Sequence, residues 1–186
     1  MRRPWFPKGY ADAAARLRVP AGFALVAAFV YLAQPSWGSL ASGLPVAAAG
    51  LWLRAWAAGH LAKNEQLAME GPYAYTRNPL YLGTLTVAIG LAIASRNPWL
   101  IVLFAAVFVL VYLPAIELEE QHLRQLFPGY AHYAETIPML IPAFHRGTRE
   151  EGKGFRWALY RRNEEYHALL GFLGGAGWLA WKAWNP

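Results

Sequence analysis

Between Gly71 and Gly83 the chain reads Gly-Pro-Tyr-Ala-Tyr-Thr-Arg-Asn-Pro-Leu-Tyr-Leu-Gly, with turn formers, aromatics and one cation at the mouth of a long apolar run. Polar side chains beside a membrane-length run are costly unless they bind or cap something. Asn78-Pro79 has the form of a helix start, because Asn is a good N-cap and Pro is favoured at the first helical position. Tyr73, Arg77, Asn78 and Tyr81 also form a set that can gather around a ligand at that helix start. The two readings are compatible, since a helix N-terminus presents free N–H groups to a carboxylate.

Opposite charge comes from Glu117, Glu119 and Glu120. On a helix, Glu117 and Glu120 share a face, while Glu119 points about 100° away from Glu120. One carboxylate can then face a pocket while another faces water; the plainer reading is a solvated charge run. Arg54 lies inside an apolar run, where a cation needs a partner or a water-filled cavity unless it snorkels to the interface. Pairing with a carboxylate among Glu117 to Glu120 is the expectation. His60, Lys63 and His122 do not have metal-site spacing and read as surface residues. There is no nucleophile elbow, phosphate loop or dinucleotide fingerprint.

The elements that carry these residues follow from composition. Of 186 residues, 56% are hydrophobic and only 15% charged, with nine Trp and ten Tyr, a balance that favours membrane over soluble surroundings. The absence of Cys excludes disulfides, thiolate metal sites and a cysteine nucleophile. The net charge of +6 sits beside apolar runs rather than in a stripe, so anionic membrane lipids are the expected partner and nucleic acid is not. Apolar runs at 20–37, 44–61, 79–95, 99–116 and 166–184 are each just long enough for a span, which requires about 17–25 residues. A soluble bundle would alternate apolar and polar faces, and residues 100–113 have no polar face.

The expected fold is therefore an all-α transmembrane bundle of about five spans, a single domain over 1–186. Basic residues concentrate in alternate segments: Arg2, Arg3, Lys8, Arg16 and Arg18, then Lys63 and Arg77, then seven between Arg124 and Arg162, against Arg96 and Lys182 opposite. That bias places the N-terminus in the cytoplasm and the C-terminus outside. Arg2-Arg3 is similar to a twin-arginine signal, but the hydrophobic region starts too late, so an uncleaved N-terminus is expected. Residues 10–17 read as a short interfacial helix, 35–43 as a tight outside turn, and Arg96-Asn97-Pro98 as another. The fourth helix continues beyond the bilayer to Phe127-Pro128-Gly129. A stiff apolar segment follows at 137–142, and 155–166 lies along the headgroups. Gly171 and Gly175 give the last run a small-residue face for packing within the monomer or between monomers.

Arg77-Asn78-Pro79-Leu80-Tyr81-Leu82-Gly83, an apolar stretch and then Glu119-Glu120 resembles the Arg-His-Pro-x-Tyr-x-Gly, hydrophobic span, Glu-Glu pattern of the isoprenylcysteine carboxyl methyltransferase and phospholipid methyltransferase superfamily. Gly71-Pro72-Tyr73, Gly50 with Arg54, Phe127-Pro128-Gly129-Tyr130, Tyr133, Pro138 and Pro142 fit as well. The resemblance covers about 46–142 and leaves 143–186, with its own span, outside. It implies an integral-membrane methyltransferase that uses S-adenosylmethionine, yields S-adenosylhomocysteine, and holds the cofactor on the cytoplasmic side of what is expected to be a bacterial inner membrane. By the same resemblance Leu67, Tyr73, Asn78, Pro79, Leu80, Tyr81 and Glu119 line the cofactor. Glu119, Glu120 and Arg77 are the expected catalytic set, Arg54 and His122 face the substrate, and no metal is required. Asn78 stands where the family carries His, which removes a titratable imidazole but keeps hydrogen bonding. The arginine that contacts substrate in the eukaryotic prenylcysteine enzymes falls near Ala115. The expected acceptor is a lipid or lipidated small molecule, resembling either an isoprenylcysteine carboxylate or a phospholipid amine. A membrane reductase of the sterol-reductase type using NADPH, and a non-enzymatic scaffold protein, are the alternatives.

Overall fold

The computed structural model describes residues 5–143 and 154–185. Arg2 and Arg3 lie outside the described residues, as do Arg146, Arg149 and Lys153 of the basic cytoplasmic segment. All regular structure among the described residues is helical: α1 (Lys8–Leu32), α2 (Trp37–Ala58), α3 (Pro79–Ser95), α4 (Pro98–Val107), α5 (Leu113–Leu126), α6 (Tyr130–Thr136), α7 (Trp157–Arg162) and α8 (Tyr166–Trp184). A π-helical turn, Phe108–Tyr112, joins α4 to α5 in one rod. Two helical runs, Lys8–Leu32 and Pro98–Leu126, are long and apolar enough to cross a membrane, and Pro79–Ser95 is apolar but shorter.

Residues 10–17 do not form a separate interfacial helix; they are the first turns of a continuous α1 that runs through Pro20. Proline removes one i→i−4 bond, but strong helix formers flank it from Ala11 to Leu17 and again from Ala21, and they carry the helix across. The following turn is correspondingly shorter than 35–43. Ser36 and Ser39 exchange side-chain and backbone bonds in a capping box, which starts α2 at Trp37.

The antiparallel pair α2 and α3 is the centre of the molecule, and glycines let the helices touch. A Cβ on Gly43 would strike the backbone of Gly90 and Ala94, and one on Gly50 would strike that of Gly83 and Val87. The contacts are reciprocal: Gly90 lies against Gly43 and Ala47, and Gly83 against Gly50 and the Arg54 stem. Small residues at such crossings allow backbone approach and dense van der Waals packing.

The π turn also has a local cause. Pro114 has no N–H, and its ring conflicts with the carbonyl four residues earlier, that of Leu110. Leu113 instead donates to Phe108. The freed Leu110 carbonyl accepts the Tyr10 hydroxyl of α1 at 2.7 Å, so the break in the rod fastens α1 to it. The amides of Trp5 and Phe6 add bonds to Glu117 at 2.6 and 3.1 Å.

Helix α8 is held at its two ends. Leu179 is fully buried with Phe29, Leu40, Ala94 and Leu100. At the other end, residues 155–165 strap the C-terminus of α2: Arg156 N–H donates to Gly59, and the Asn163 amide donates to both Ala58 and Leu61 carbonyls at 3.0 and 2.9 Å. Ala58 carries one of the last carbonyls of α2, which have no acceptor role inside the helix, and Gly59 and Leu61 follow just after it.

Candidate active site

The loop before α3 is shaped by Gly71, whose φ of +58° and close approach to the His60 ring leave no room for a side chain. Pro72 and Tyr73 are then buried in the 3₁₀ turn Gly71–Ala74. Residues 75–78 lie beside the irregular, bent segment 138–143. Arg77 N–H donates to Pro138, Ala143 N–H to Tyr75, and the Thr76 hydroxyl to the Met139 and Leu140 carbonyls.

That scaffold separates the neighbouring glutamates. Glu120 is buried and held by Arg77 through Nε and Nη2 at 2.9 and 3.0 Å, a two-pronged ion pair, and by Asn78 Nδ2 at 3.0 Å. The third Arg77 nitrogen donates to Ala134 at 2.6 Å. Asn78 sits at the N-cap position of α3 but makes no side-chain cap. Its amide is a donor to Glu120 and Met139 instead, because a buried carboxylate and a carbonyl converge on it. The expected capping role is therefore corrected, and the amide hydrogen-bonds within the protein instead.

Glu119, a third of a turn away, faces a cavity of about 190 Å³. Tyr81 Oη donates to its Oε2 at 2.9 Å and accepts from Arg18 Nη1 at 3.1 Å. Glu119 Oε1 takes no hydrogen bond from the described residues. Leu67, Tyr73, Asn78, Pro79, Leu80, Tyr81 and Glu119, all expected at the cofactor, line this one cavity together with Arg77 and the loop from Leu61 to Ala68. Leu123, Phe127, Tyr130 and Tyr133 close it from α5 and α6. The fully buried Tyr130 hydroxyl stands beside Glu120 without reaching hydrogen-bond geometry. Burial first, and Glu120 next, raise its pKa well above the ordinary phenol range; burial does the same to Tyr73 and Tyr133. These phenols remain protonated donors.

Arg54 does not pair with Glu117, Glu119 or Glu120. Gly83 lets its stem lie against α3, and its guanidinium meets Glu165 at 2.5 and 3.0 Å and also the Thr84 hydroxyl. Glu165 is itself buried at the start of α8. His122 is exposed and lines none of the cavities described here. His60 bonds the Trp56 carbonyl through Nδ1 and packs on Phe155, and Lys63 is exposed at the cavity rim.

A second cavity, apolar and about 440 Å³, lies between α1, α3, α4 and α8. Gly22, Phe29, Val87, Leu91, Phe104 and Trp178 line it, with Gly171, Gly174 and Gly175 as one wall and Thr84 and Tyr112 at one end. The Tyr112 ring meets Tyr81 edge-on at 6.2 Å, so Tyr81 stands between the polar cavity and the apolar one. Sequence reading missed Arg18, Thr84, Tyr112 and Glu165. Arg18 carried a usable signal: with Gly22, Val26 and Phe29 it keeps the spacing of one helical face, visible once the helix is read through Pro20.

A family model described as phospholipid methyltransferase matches residues 21–129. Among curated proteins, the cobalt-zinc-cadmium resistance protein CzcN of Cupriavidus metallidurans is 32% identical over 108 residues, covering 56% of this chain. The match takes in 49% of that relative, so the chain spans about half its length. No solved structure matches significantly. The matched segment holds the C-terminal half of α1, all of α2 to α5, and the Arg77–Asn78–Glu120 network with Tyr81 and Glu119 beside it; the chain belongs to the phospholipid methyltransferase family.

Proposed function

We propose that this membrane protein transfers the methyl group of S-adenosylmethionine to a lipophilic acceptor resident in the bilayer. The observation that carries the reading is the Tyr81–Glu119 pair between a polar cavity and an apolar groove, the juxtaposition that transfer from a water-soluble donor to a lipid needs. Bound S-adenosylmethionine supplies an electrophilic methyl on a sulfonium. Its functional groups match the residues present: Glu119 has an acceptor oxygen that no described residue occupies and that suits a cation, while the buried Tyr130 hydroxyl and the protonated Tyr73 offer donors. Leu67, Leu80, Leu123 and Phe127 exclude water from the walls. Such a reaction asks the protein mainly for position and a dry environment. Glu120 and Arg77 act by holding the α3 start against α5. The basic loops support a cytoplasmic mouth in an inner membrane.

Calorimetry in detergent tests the reading. The wild-type chain is expected to bind S-adenosylhomocysteine at micromolar concentration. Glu119→Gln and Tyr81→Phe are expected to weaken it about tenfold, the loss of one charge-assisted bond, with the melting midpoint preserved. No binding by wild type rejects the function. Unchanged affinity in both variants rejects the site.

A further inference from the structure

Arg18 reaches the site from α1, ahead of the matched residues 21–129, so the family likeness does not extend to it. Its side chain is exposed and, among the described residues, makes no ion pair. What it does make is a hydrogen bond from Nη1 to Tyr81 Oη at 3.1 Å. That contact is held from both sides. Helix α1 is fastened to the rod that carries Glu119 by the Tyr10 hydroxyl on the Leu110 carbonyl and by the Trp5 and Phe6 amides on Glu117. The Tyr81 ring meets Tyr112 edge-on at 6.2 Å, and Tyr112 is stacked on Phe108 at 6.0 Å. Arg18, Tyr81 and Glu119 therefore converge from α1, α3 and α5.

A phenol has a single proton to give and lone pairs that accept. Arg18 occupies the accepting side of Tyr81, and the proton goes to Glu119 Oε2 at 2.9 Å. A guanidinium on one side of a hydroxyl polarises it and strengthens the bond it donates on the other. This matters because a glutamate carboxylate turns easily about its last torsion, which is broad and two-fold. Glu119 has no second hydrogen bond among the described residues to stop it. Arg77 and Asn78 are engaged by Glu120, and Lys63 stands exposed at the cavity rim. The Tyr81 bond is then what holds Oε2 and leaves Oε1 unoccupied beside the cavity, and Arg18 fixes the direction of the Tyr81 proton.

We infer that Arg18 is a positioning residue for the proposed methyl transfer. Acting through the Tyr81 hydroxyl, it orients the Glu119 carboxylate at the polar cavity, and its effect on the cofactor passes through those two side chains. The role rests on the methyltransferase reading for what the carboxylate binds. Position is the main contribution such a reaction asks of the protein. A lysine supplies the charge and a donor but not the planar fork, so it should replace Arg18 only in part.

The test is a double-mutant cycle on the full chain in detergent, read by calorimetry with S-adenosylhomocysteine. Arg18→Gln is expected to weaken binding about threefold, and Arg18→Lys to recover part of that loss. In the Tyr81→Phe background, where no hydroxyl passes the effect on, Arg18→Gln should change nothing further. The melting midpoint should hold in all of these variants, because Arg18 is exposed and the α1 fastenings remain. A readout without ligand comes from labelling with 3-fluorotyrosine, the Tyr81 resonance being identified by its loss in Tyr81→Phe. Arg18→Gln and Glu119→Gln should each move that resonance, and Arg18→Lys should move it less than Arg18→Gln. An equal loss of affinity in both backgrounds, or a lowered midpoint in Arg18→Gln, makes Arg18 a fastening of α1 and overturns the positioning role. So does unchanged affinity or an unmoved resonance in Arg18→Gln. Those outcomes leave the methyltransferase reading standing as long as wild type binds S-adenosylhomocysteine. If wild type does not bind it, that reading falls and the positioning role with it, and the resonance then reports only the contact between Arg18 and Tyr81.

Discussion

Glu119 and Glu120 are neighbours with different surroundings, and substitutions should tell them apart. Glu120 is 8% exposed and accepts three hydrogen bonds from Arg77 and Asn78. Glu120→Gln leaves a buried guanidinium without its counter-charge, a loss of about 3–5 kcal/mol for a broken buried pair. It should appear as a marked fall in the melting midpoint in detergent. Glu119→Gln removes a charge from a cavity wall and should leave that midpoint nearly unchanged while weakening the cofactor product. The spacing of the two acids revealed that they point apart. It did not reveal which one would be buried, because that depends on where Arg77 and Asn78 arrive from a loop about 40 residues earlier in the chain.

At the scale of elements, glycines of one type play opposite parts. Gly90 lies on the α2 backbone at Ala47 and Gly43, whereas Gly38 faces open space in the first turn of α2. Gly90→Val should cost about 1–3 kcal/mol by overpacking, read as a lower denaturation midpoint. Gly38→Ala should be neutral or stabilising by up to about 1 kcal/mol, since alanine is the better helix former. The apolar runs in the sequence announced the helices, and the turn at Arg96-Asn97-Pro98 ends α3 and starts α4 as read, with Asn97 capping Trp99. The π turn and the continuity of α1 escaped notice, because a proline inside an apolar run shows only that a bond is missing. Whether the helix ends, kinks or widens there is set by a neighbour such as Tyr10, which takes up the freed Leu110 carbonyl.

For the molecule as a whole, the buried tyrosines beneath the polar cavity set an alkaline limit. The folded-state pKa values of Tyr73, Tyr130 and Tyr133 stand above the unfolded value. Their contribution is therefore complete below about pH 10 and is lost as pH rises beyond it, since only the unfolded chain then releases the protons readily. The melting midpoint in detergent should fall above about pH 10, and Tyr130→Phe should flatten that fall; an equal slope in the variant would remove Tyr130 from the account.

The sequence by itself determined an all-helical membrane class and drew together, by motif, the residues of one polar cavity. Composition and apolar run length act locally, and the Gly71–Gly83 stretch and Glu119 carry their own spacing. Only the tertiary structure decided that Arg54 meets Glu165, 111 residues away, rather than the glutamates of α5. It also brought Arg18 to Tyr81 and made the glycine face of α8 the wall of a groove. Those outcomes depend on which helices lie side by side and at what depth, and here the backbone contacts of α2 with α3 and the two end anchors of α8 set that register.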